Sequence, residues 1–243
     1  MQRFASMLLF AAVALVQVEA RGDIKLFDCS KMKSICSAAC YYDRELGGDS
    51  WMTDGFNYDN SADKESHKSK RRAAIGCKSK NCGSGQSCDE YPFASSYQGG
   101  LGVVGGGYPT MRDGFNVCVP QGDQSSQGGQ LKGFVSGKPD GYNYEPHVSN
   151  AGGIANCDTK QTPSEPATFR HVTTPQNRRR ANAQPPIAQG YETQSGVRFV
   201  TFGKRDIYSL GTTVWTANTT HPDGGFEEPI VRHFSDLDGF SWE

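Results

Sequence analysis

The sequence predicts an exported α+β protein that is held together by disulfide bonds and ends in a β-rich region. Three observations predict this class: an N-terminal segment typical of export, eight cysteines that all follow it, and short segments with helix or strand periodicity. The 243 residues include 29 Gly and 12 Pro, and 36% are hydrophobic. We therefore expect a loop-rich fold with a modest core, in which crosslinks supply part of the stability.

The N-terminal segment, residues 1–20, has the pattern of a secretory signal peptide. Arg3 precedes an apolar run over residues 7–16, and small residues lie at the expected cleavage positions before Arg21. The run is too short to span a bilayer, and no later segment is apolar enough for a membrane helix. The pattern predicts a secreted, extracellular protein with no membrane partner.

The cysteines predict a disulfide framework, because an even number in an oxidising compartment is typical of crosslinked secreted domains. They are Cys29, Cys36, Cys40, Cys77, Cys82, Cys88, Cys118 and Cys157. A structural zinc site is the alternative, but the chain has no Cys-x-x-Cys pair and the spacing Cys36-x3-Cys40 has no matching second half. Eight cysteines allow 105 pairings, so the sequence leaves the connectivity open.

Residues 31–46 predict a short amphipathic helix, because Met32, Ile35 and Ala39 recur at the spacing of one helical face. Residues 47–63 are rich in Gly, Asp and Asn and predict a loop. Residues 64–80 then carry seven Lys or Arg side chains. Such a run is either a solvated surface or a contact with a phosphate backbone.

The middle of the chain predicts a strand followed by a helix. Residues 115–119 alternate apolar with small or polar side chains and end at Pro120. Asp123 has the chemistry of a helix N-cap, and Leu131 and Phe134 would face the core from the helix that follows.

The C-terminal third predicts a long surface segment and then a small β element. Residues 158–190 contain most of the later prolines and the basic triplet 178–180, which predicts a linker that is solvated, cleaved by proteases or in contact with a nucleic acid. Two strands are predicted, at 197–202 and 212–216, and the acidic tail 223–243 is expected to be irregular. Asn218 opens the only N-glycosylation sequon.

The most informative stretch is Cys88-Asp89-Glu90-Tyr91-Pro92-Phe93-Ala94-Ser95. Two adjacent carboxylates beside a rigid proline are suited to hold a hard divalent cation or to move a proton. The alternative is an ordinary turn on a solvated surface. If Asp89 and Glu90 lie on a strand, they point to opposite faces, and only one of them faces a ligand directly.

This stretch resembles the motif of the secreted NucA/NucB-type deoxyribonucleases, whose bacterial members show Asp-Glu-Trp-Pro at the same place. Gln127-Gly128-Gly129-Gln130-Leu131 also resembles the helical segment of that family. The resemblance covers about residues 29–135. It implies a small ββα-metal core similar to that of the HNH nucleases, with a carboxylate where HNH enzymes place a histidine base, and it makes Mg²⁺, or alternatively Mn²⁺, the expected cofactor.

The resemblance also implies roles for individual residues. Asp89 and Glu90 would be catalytic, with Asp89 as the first candidate. Asp123, Gln124 and Gln127 would join Asp89 in holding the metal, although the family often shows an acidic residue followed by Asn where this chain has Asp123-Gln124. Candidates for substrate contact are Arg71, Arg72, Arg112 and Gln130. The alternative for these arginines and glutamines is a solvated or hydrogen-bonded surface position without a role in the site.

The sequence as a whole then predicts a signal peptide at 1–20, a nuclease domain at 21–157, a linker at 158–190 and an accessory β-rich region at 191–243. The predicted function is hydrolysis of DNA phosphodiester bonds with low sequence specificity, with RNA as a second candidate substrate. A catalytically inactive, cysteine-rich binding or effector protein on the same scaffold is the alternative. No obligate protein partner is evident.

Charge and histidine spacing narrow these functions further. The formal net charge is only −1, so any contact with nucleic acid must come from a local basic patch. The five histidines form no metal-binding spacing, which argues against a histidine-based nuclease. We expect His147 and His171 on the surface.

Overall fold

The structure is a computed structural model, and it describes residues 22–46, 55–158, 160–174, 188–202, 208, 210–217 and 225–234. The predicted signal peptide, the basic triplet 178–180 and the sequon at Asn218 lie outside the described residues.

Four α-helices, two short 3₁₀ helices (Cys29–Lys31 and Cys77–Ser79) and ten strands form the regular structure of the described part of the chain. The α-helices are α1 (Lys33–Leu46), α2 (Lys64–Ala74), the short α3 (Gly99–Gly102) and α4 (Gln121–Val135). The strands are β1 (Asp23–Asp28), β2 (Phe56–Asn57), β3 (Gln86–Tyr91), β4 (Asp113–Pro120), β5 (Asn143–Ser149), β6 (Arg170–Thr173), β7 (Ala188–Thr193), β8 (Arg198–Phe202), β9 (Thr213–Ala217) and β10 (Gly225–Phe234). The predicted helix at 31–46 is confirmed as α1, and the predicted strands are confirmed as β4, β8 and β9.

Six strands close into a barrel in the order β1-β9-β10-β7-β8-β5, and β2 adds to β5 outside the ring. β1 runs parallel to β5 and β9, and the other pairs are antiparallel. Because side chains alternate along a strand, Ile24 and Leu26 of β1 face inward, where they pack with Tyr191, Phe199 and Val214. The β-rich C-terminal region therefore shares one barrel with β1 and β5 from the first part of the chain.

The expectation of an irregular acidic tail was wrong for residues 225–234, which form β10. The acidic composition suggested solvated irregular structure, but the side chains of residues 228–230 alternate between the barrel and its outer face. Glu228 on β10 is buried, and its carboxylate accepts hydrogen bonds from the backbone N–H and the hydroxyl of Ser195 at 2.8 Å each. A buried carboxylate satisfied in this way fits a strand interior, although its charge argues against a strand at the level of sequence.

A second, three-stranded antiparallel sheet has the order β3-β4-β6. β6 lies inside the segment that we expected to be a linker. α4 begins at the residue after β4 ends, and it packs on β3 and β4. The result is a mixed α/β architecture in which strand, strand and helix follow one another around the Asp89-Glu90 segment.

The main core lies between α1, α4 and the two sheets, and it is rich in aromatic rings. Tyr91 of β3 stacks on Phe115 of β4 with ring centroids 5.5 Å apart, and Tyr42 of α1 packs against both. Large buried rings contribute much of the apolar area in a core. The strand that carries the two carboxylates is thus anchored by the residue that follows them.

All eight cysteines pair as predicted for an oxidised framework, which removes the zinc alternative. The pairs are Cys29–Cys36, Cys40–Cys157, Cys77–Cys88 and Cys82–Cys118. Cys40–Cys157 joins positions 117 residues apart. In the chain-entropy account, closing so long a loop stabilises the folded state by about 5 kcal/mol.

Among the described residues, no helix is long and apolar enough to cross a membrane.

Candidate active site

An open cleft of about 680 Å³ lies where β3, α2 and α4 meet. One wall comes from α2 and the segment after it, and includes Lys68, Arg72, Lys78 and Lys80. The opposite wall comes from α4, where Gln124 and Gln127 line the cleft. The cleft therefore has one mainly basic wall, in which Lys68 pairs with Glu65 of the same wall at 2.7 Å, and one wall of neutral amides.

The two adjacent carboxylates of β3 point to opposite faces, as strand geometry requires. Glu90 lines the cleft, whereas Asp89 points inward beside Tyr91 and Phe93. Their exposed fractions are 7% and 2%, so both carboxylates are buried. Sequence reasoning ranked Asp89 first, but the carboxylate on the cleft side is that of Glu90.

Glu90 is paired with a cation of the basic wall. Nε of Arg72 lies 3.2 Å from Oε1 of Glu90 and 3.3 Å from Oε2, and the same guanidinium donates to the carbonyl oxygen of Cys88. Burial raises the pKa of Glu90, and the charge and hydrogen bond of Arg72 oppose that rise without cancelling it. Glu90 is thereby a carboxylate with more affinity for a proton than a solvated one.

Asp89 is joined to α4. Burial raises the pKa of Asp89 well above its usual value, the neighbouring charge of Glu90 adds to the rise, and hydrogen bonds with Gln124 and Gln127 oppose it. These contacts place the two predicted glutamines beside one carboxylate. The structure therefore brings together Asp89, Glu90, Gln124 and Gln127 at the junction of β3 and α4.

The donor atoms at this junction decide whether a hard divalent cation could bind between β3 and α4. Nε2 of Gln124 donates to Oε1 of Gln127 at 3.2 Å, whereas Oε1 of Gln124 is buried and has no hydrogen-bond partner among the described residues. No group of three His, Cys, Asp or Glu side chains occurs there within the described residues. The donors are therefore mixed carboxylate and amide oxygens, which are ligand types that Mg²⁺ and Mn²⁺ accept.

The comparison with protein families gives one match. Residues 44–145 match the family Deoxyribonuclease NucA/NucB. This match supports a relation of these residues to the NucA/NucB family. The matched region runs from the end of α1 to β5 and contains every element that lines the cleft. No curated protein and no solved structure matches the chain significantly.

The match points to a nuclease, and at family level to a hydrolase that acts on DNA. Together with the four disulfides, it suggests an exported protein. The basic run at 64–80 was open between a solvated surface and a phosphate contact. In the NucA/NucB region its members Lys68, Arg72, Lys78 and Lys80 all line the cleft, although Lys80 also donates to the side-chain oxygen of Asn116.

Asp123 does not cap α4 as predicted. α4 begins at Gln121 with Pro120 as its N-cap, because β4 runs straight into the helix and leaves no turn for Asp123 to cap. Oδ2 of Asp123 accepts a hydrogen bond from the backbone N–H of Ser34 at 2.8 Å. This bond satisfies a free N–H in the first turn of α1 and directs the carboxylate toward α1.

Gln130 was predicted to contact substrate, but it is buried. Its Oε1 accepts a hydrogen bond from the backbone N–H of Asp28 at 2.7 Å, and its Nε2 contacts Ser126. Gln130 therefore joins α4 to the end of β1 and does not reach the cleft.

Arg71 was also predicted to bind substrate, but its side chain is fully buried. Its Nη1 lies 2.7 Å from Oδ2 of Asp59, and its guanidinium donates to the carbonyl oxygens of Ala94 and Val104. A Cβ at Gly100, where φ is +59°, would lie 2.7 Å from the Arg71 backbone. Arg71 thus anchors the loop between Ala94 and Val104 to α2, and the next residue, Arg72, is the arginine that lines the cleft.

Sequence reasoning missed Asp59, the partner of Arg71. Burial raises the pKa of Asp59, but hydrogen bonds from Ser61, His67 and Arg71 outweigh it and lower that pKa to about 2. Asp59 lies in a loop with no periodic pattern, so no signal in the sequence marked it. Arg112, by contrast, is exposed and lies outside the cleft lining.

The two histidines expected on the surface differ. His171 is exposed, with Nε2 at 3.1 Å from Oδ2 of Asp113. His147 is only 1% exposed, because β5 directs it into the barrel. There its Nε2 lies 2.7 Å from the hydroxyl of Tyr208, which donates to Oε2 of Glu145 at 2.6 Å. The surface prediction was wrong for His147.

Proposed function

We propose that this cleft hydrolyses phosphodiester bonds of DNA with the help of a divalent cation. The observation that carries the proposal is the buried pair Asp89 and Glu90, which lies where the basic wall of α2 meets the amide oxygens of α4. Hydrolysis of a phosphodiester needs a proton acceptor for water, positive charge near the phosphoryl oxygens and an oxygen-lined metal site. Each of these needs has a candidate at this junction.

Glu90 is the proposed proton acceptor, because its carboxylate lines the cleft within reach of a bound water, and burial raises its pKa above the usual value. Asp89 and the Oε1 atoms of Gln124 and Gln127 would hold Mg²⁺ or Mn²⁺. When bound, the cation would stabilise negative charge on the phosphoryl and leaving oxygens. The order β3, β4, α4 around these residues supports a ββα-metal site similar to that of the HNH nucleases.

Arg72 and the lysines of the basic wall would position the phosphate backbone. Contacts of this kind carry no sequence information, because every nucleotide presents the same phosphate. The cleft lining has no aromatic side chain besides Phe93 to stack on a base. We therefore propose cleavage with low sequence preference, and RNA as a second substrate to test.

The remaining proposals concern the exported form. We propose that residues 1–20 are removed as a signal peptide, that Asn218 is glycosylated, and that the enzyme acts outside the cell as a soluble protein without an obligate partner. Mass spectrometry of the secreted chain, before and after removal of N-glycans, tests the first two points. A chain that still carries residues 1–20, or an unmodified Asn218, would reject them.

The decisive experiment is a plasmid-cleavage assay on the oxidised, secreted protein with Mg²⁺, with Mn²⁺ and with EDTA. The wild type should cleave only with metal, and Asp89→Asn should lose cleavage while its unfolding temperature stays near that of the wild type. Glu227→Gln, which removes an exposed carboxylate of β10, is the matched control and should cleave normally. A folded protein that leaves plasmid and RNA intact with every metal would instead favour a binding or effector protein without turnover.

A further inference from the structure

Gly128 is an unusual residue for the interior of α4. A glycine inside a helix destabilises it by about 0.5–1 kcal/mol relative to alanine. Glycine is tolerated in a helix when a neighbour leaves no room for a side chain. At Gly128, however, a Cβ would meet nothing within 4 Å, and the backbone does not lie in the left-handed region. Neither packing nor backbone conformation within the described residues explains this glycine.

The location of Gly128 suggests a reason for the glycine. It lines the cleft, one helical turn from Gln124 and three residues before Leu131, on the same face of α4. The opposite wall of the cleft carries Lys68, Arg72 and Lys78. Gly128 is therefore a flat, exposed point on the neutral wall, directly beside the predicted metal ligands.

We propose that Gly128 is a close-approach position for one nucleic-acid strand. Absence of a side chain is the usual means by which a backbone comes close to a ligand. The phosphates of such a strand are drawn to the basic wall, because the lining of the α4 wall carries no charged group. The sugars and bases then lie against α4, where Gly128 leaves them room.

This inference rests on the proposed function, since it assumes that a nucleic acid enters the cleft. It assigns a specificity-determining role to a residue without any functional group. It also predicts that a single strand is sufficient for binding, because only one wall can receive phosphates.

The test adds bulk at Gly128 and at a matched position. Gly122 is in the first turn of α4, is exposed, lies outside the cleft lining and would also receive a Cβ without any contact. Binding of a fluorescein-labelled single-stranded DNA oligonucleotide is followed by anisotropy in EDTA, so that no cleavage occurs. Unfolding temperatures show whether each variant is folded.

We expect Gly128→Leu to raise the dissociation constant at least tenfold, Gly128→Ala to raise it less, and Gly122→Leu to leave it within twofold of the wild type. All three variants should unfold at or above the wild-type temperature, because each replaces a helical glycine. If Gly128→Leu fails to fold, Gly128→Ala provides the comparison with Gly122→Ala.

Two results would overturn the inference. Gly128→Leu could bind as tightly as the wild type, or Gly122→Leu could lose the same affinity, which would make the effect one of the helix as a whole. Cleavage by the wild type with metal would stand in either case, so the proposed function would survive. A wild type that binds the strand but never cleaves it would reject the proposed function and leave the close-approach role intact.

Discussion

The small sheet and the barrel both bury ionisable side chains, but they do so in opposite ways. On β3, Glu90 is buried at the border of an open cleft and Asp89 points inward from the same strand, with the amide oxygen of Gln124 left without a hydrogen-bond partner among the described residues. In the barrel, Glu145 and His147 are sealed among aromatic rings and share the hydroxyl of Tyr208. Burial alone does not distinguish a catalytic group, and access to the cleft is what makes Glu90 the candidate.

The largest expected effect is on cleavage, and it should distinguish the Asp89-Glu90 pair of β3 from the barrel cluster of Glu145, His147 and Tyr208. Glu90→Gln removes the proposed proton acceptor but keeps the shape of the side chain, so we expect cleavage to fall by about 10²–10⁴-fold while the protein stays folded. Glu145→Gln keeps a partner for Tyr208 in the barrel and should leave cleavage per folded molecule within about twofold. Initial rates of plasmid cleavage, normalised to the folded fraction, make the comparison. Equal losses per folded molecule in the two variants would contradict a catalytic role for Glu90, because Glu145 lies outside the cleft lining.

The barrel cluster should instead control stability. His147→Ala leaves a cavity and removes a hydrogen-bond partner of the buried Tyr208 hydroxyl, which should lower the free energy of unfolding by about 2–4 kcal/mol. Chemical denaturation of the oxidised protein measures this change. His171→Ala is the matched control, because His171 is exposed, and it should cost less than about 1 kcal/mol. Similar losses in both variants would remove the distinction between the sealed and the surface histidine.

A pH dependence should distinguish the loop anchored by Asp59 from both clusters. The pKa of Asp59 is lowered from 3.8 to about 2 in the folded protein. A carboxyl group with a depressed folded-state pKa stabilises the protein above its unfolded-state pKa and loses that contribution as the pH falls through the folded-state pKa.

We therefore expect about 1–2 kcal/mol of stability, after allowance for solvent screening, to disappear between about pH 4 and pH 2. Unfolding free energies of the wild type and Asp59→Asn should converge over that range. A difference that stays constant from pH 5 to pH 2 would contradict the role of the Asp59 charge.

The contrast between the two regions also explains what could be predicted from sequence. α1, β4, β8 and β9 follow from local periodicity, and the segment at Asp89 and Glu90 stood out because it resembles the motif of the NucA/NucB-type deoxyribonucleases. The contacts of the α4 side chains could not be predicted from local periodicity. Asp123, Gln127 and Gln130 are polar residues on one helix, but they bind α1, β3 and β1, and only the packing of distant segments decides which of them reaches the cleft.

The barrel escaped prediction for the same reason. It closes through the parallel pairing of β1 with β5, whose partners are more than a hundred residues apart in the register Leu26 to His147. Long-range pairing of this kind leaves no mark in a local pattern. His147 was misplaced because alternation along β5 reveals two faces, while the closure of the sheet decides which face is enclosed.

The smallest effect belongs to Asp123, which separates a metal ligand from a structural contact. The structure directs its carboxylate to the backbone N–H of Ser34 in the first turn of α1, away from Asp89. Asp123→Ala should then lower the free energy of unfolding by about 1 kcal/mol, as the loss of a helix N-terminal carboxylate usually does. Cleavage by Asp123→Ala should depend on the Mg²⁺ concentration as cleavage by the wild type does, whereas Gln124→Ala should need more Mg²⁺ to reach the same cleavage rate. A higher metal requirement in Asp123→Ala would return Asp123 to the metal site and would mean that α1 and α4 separate when the metal binds.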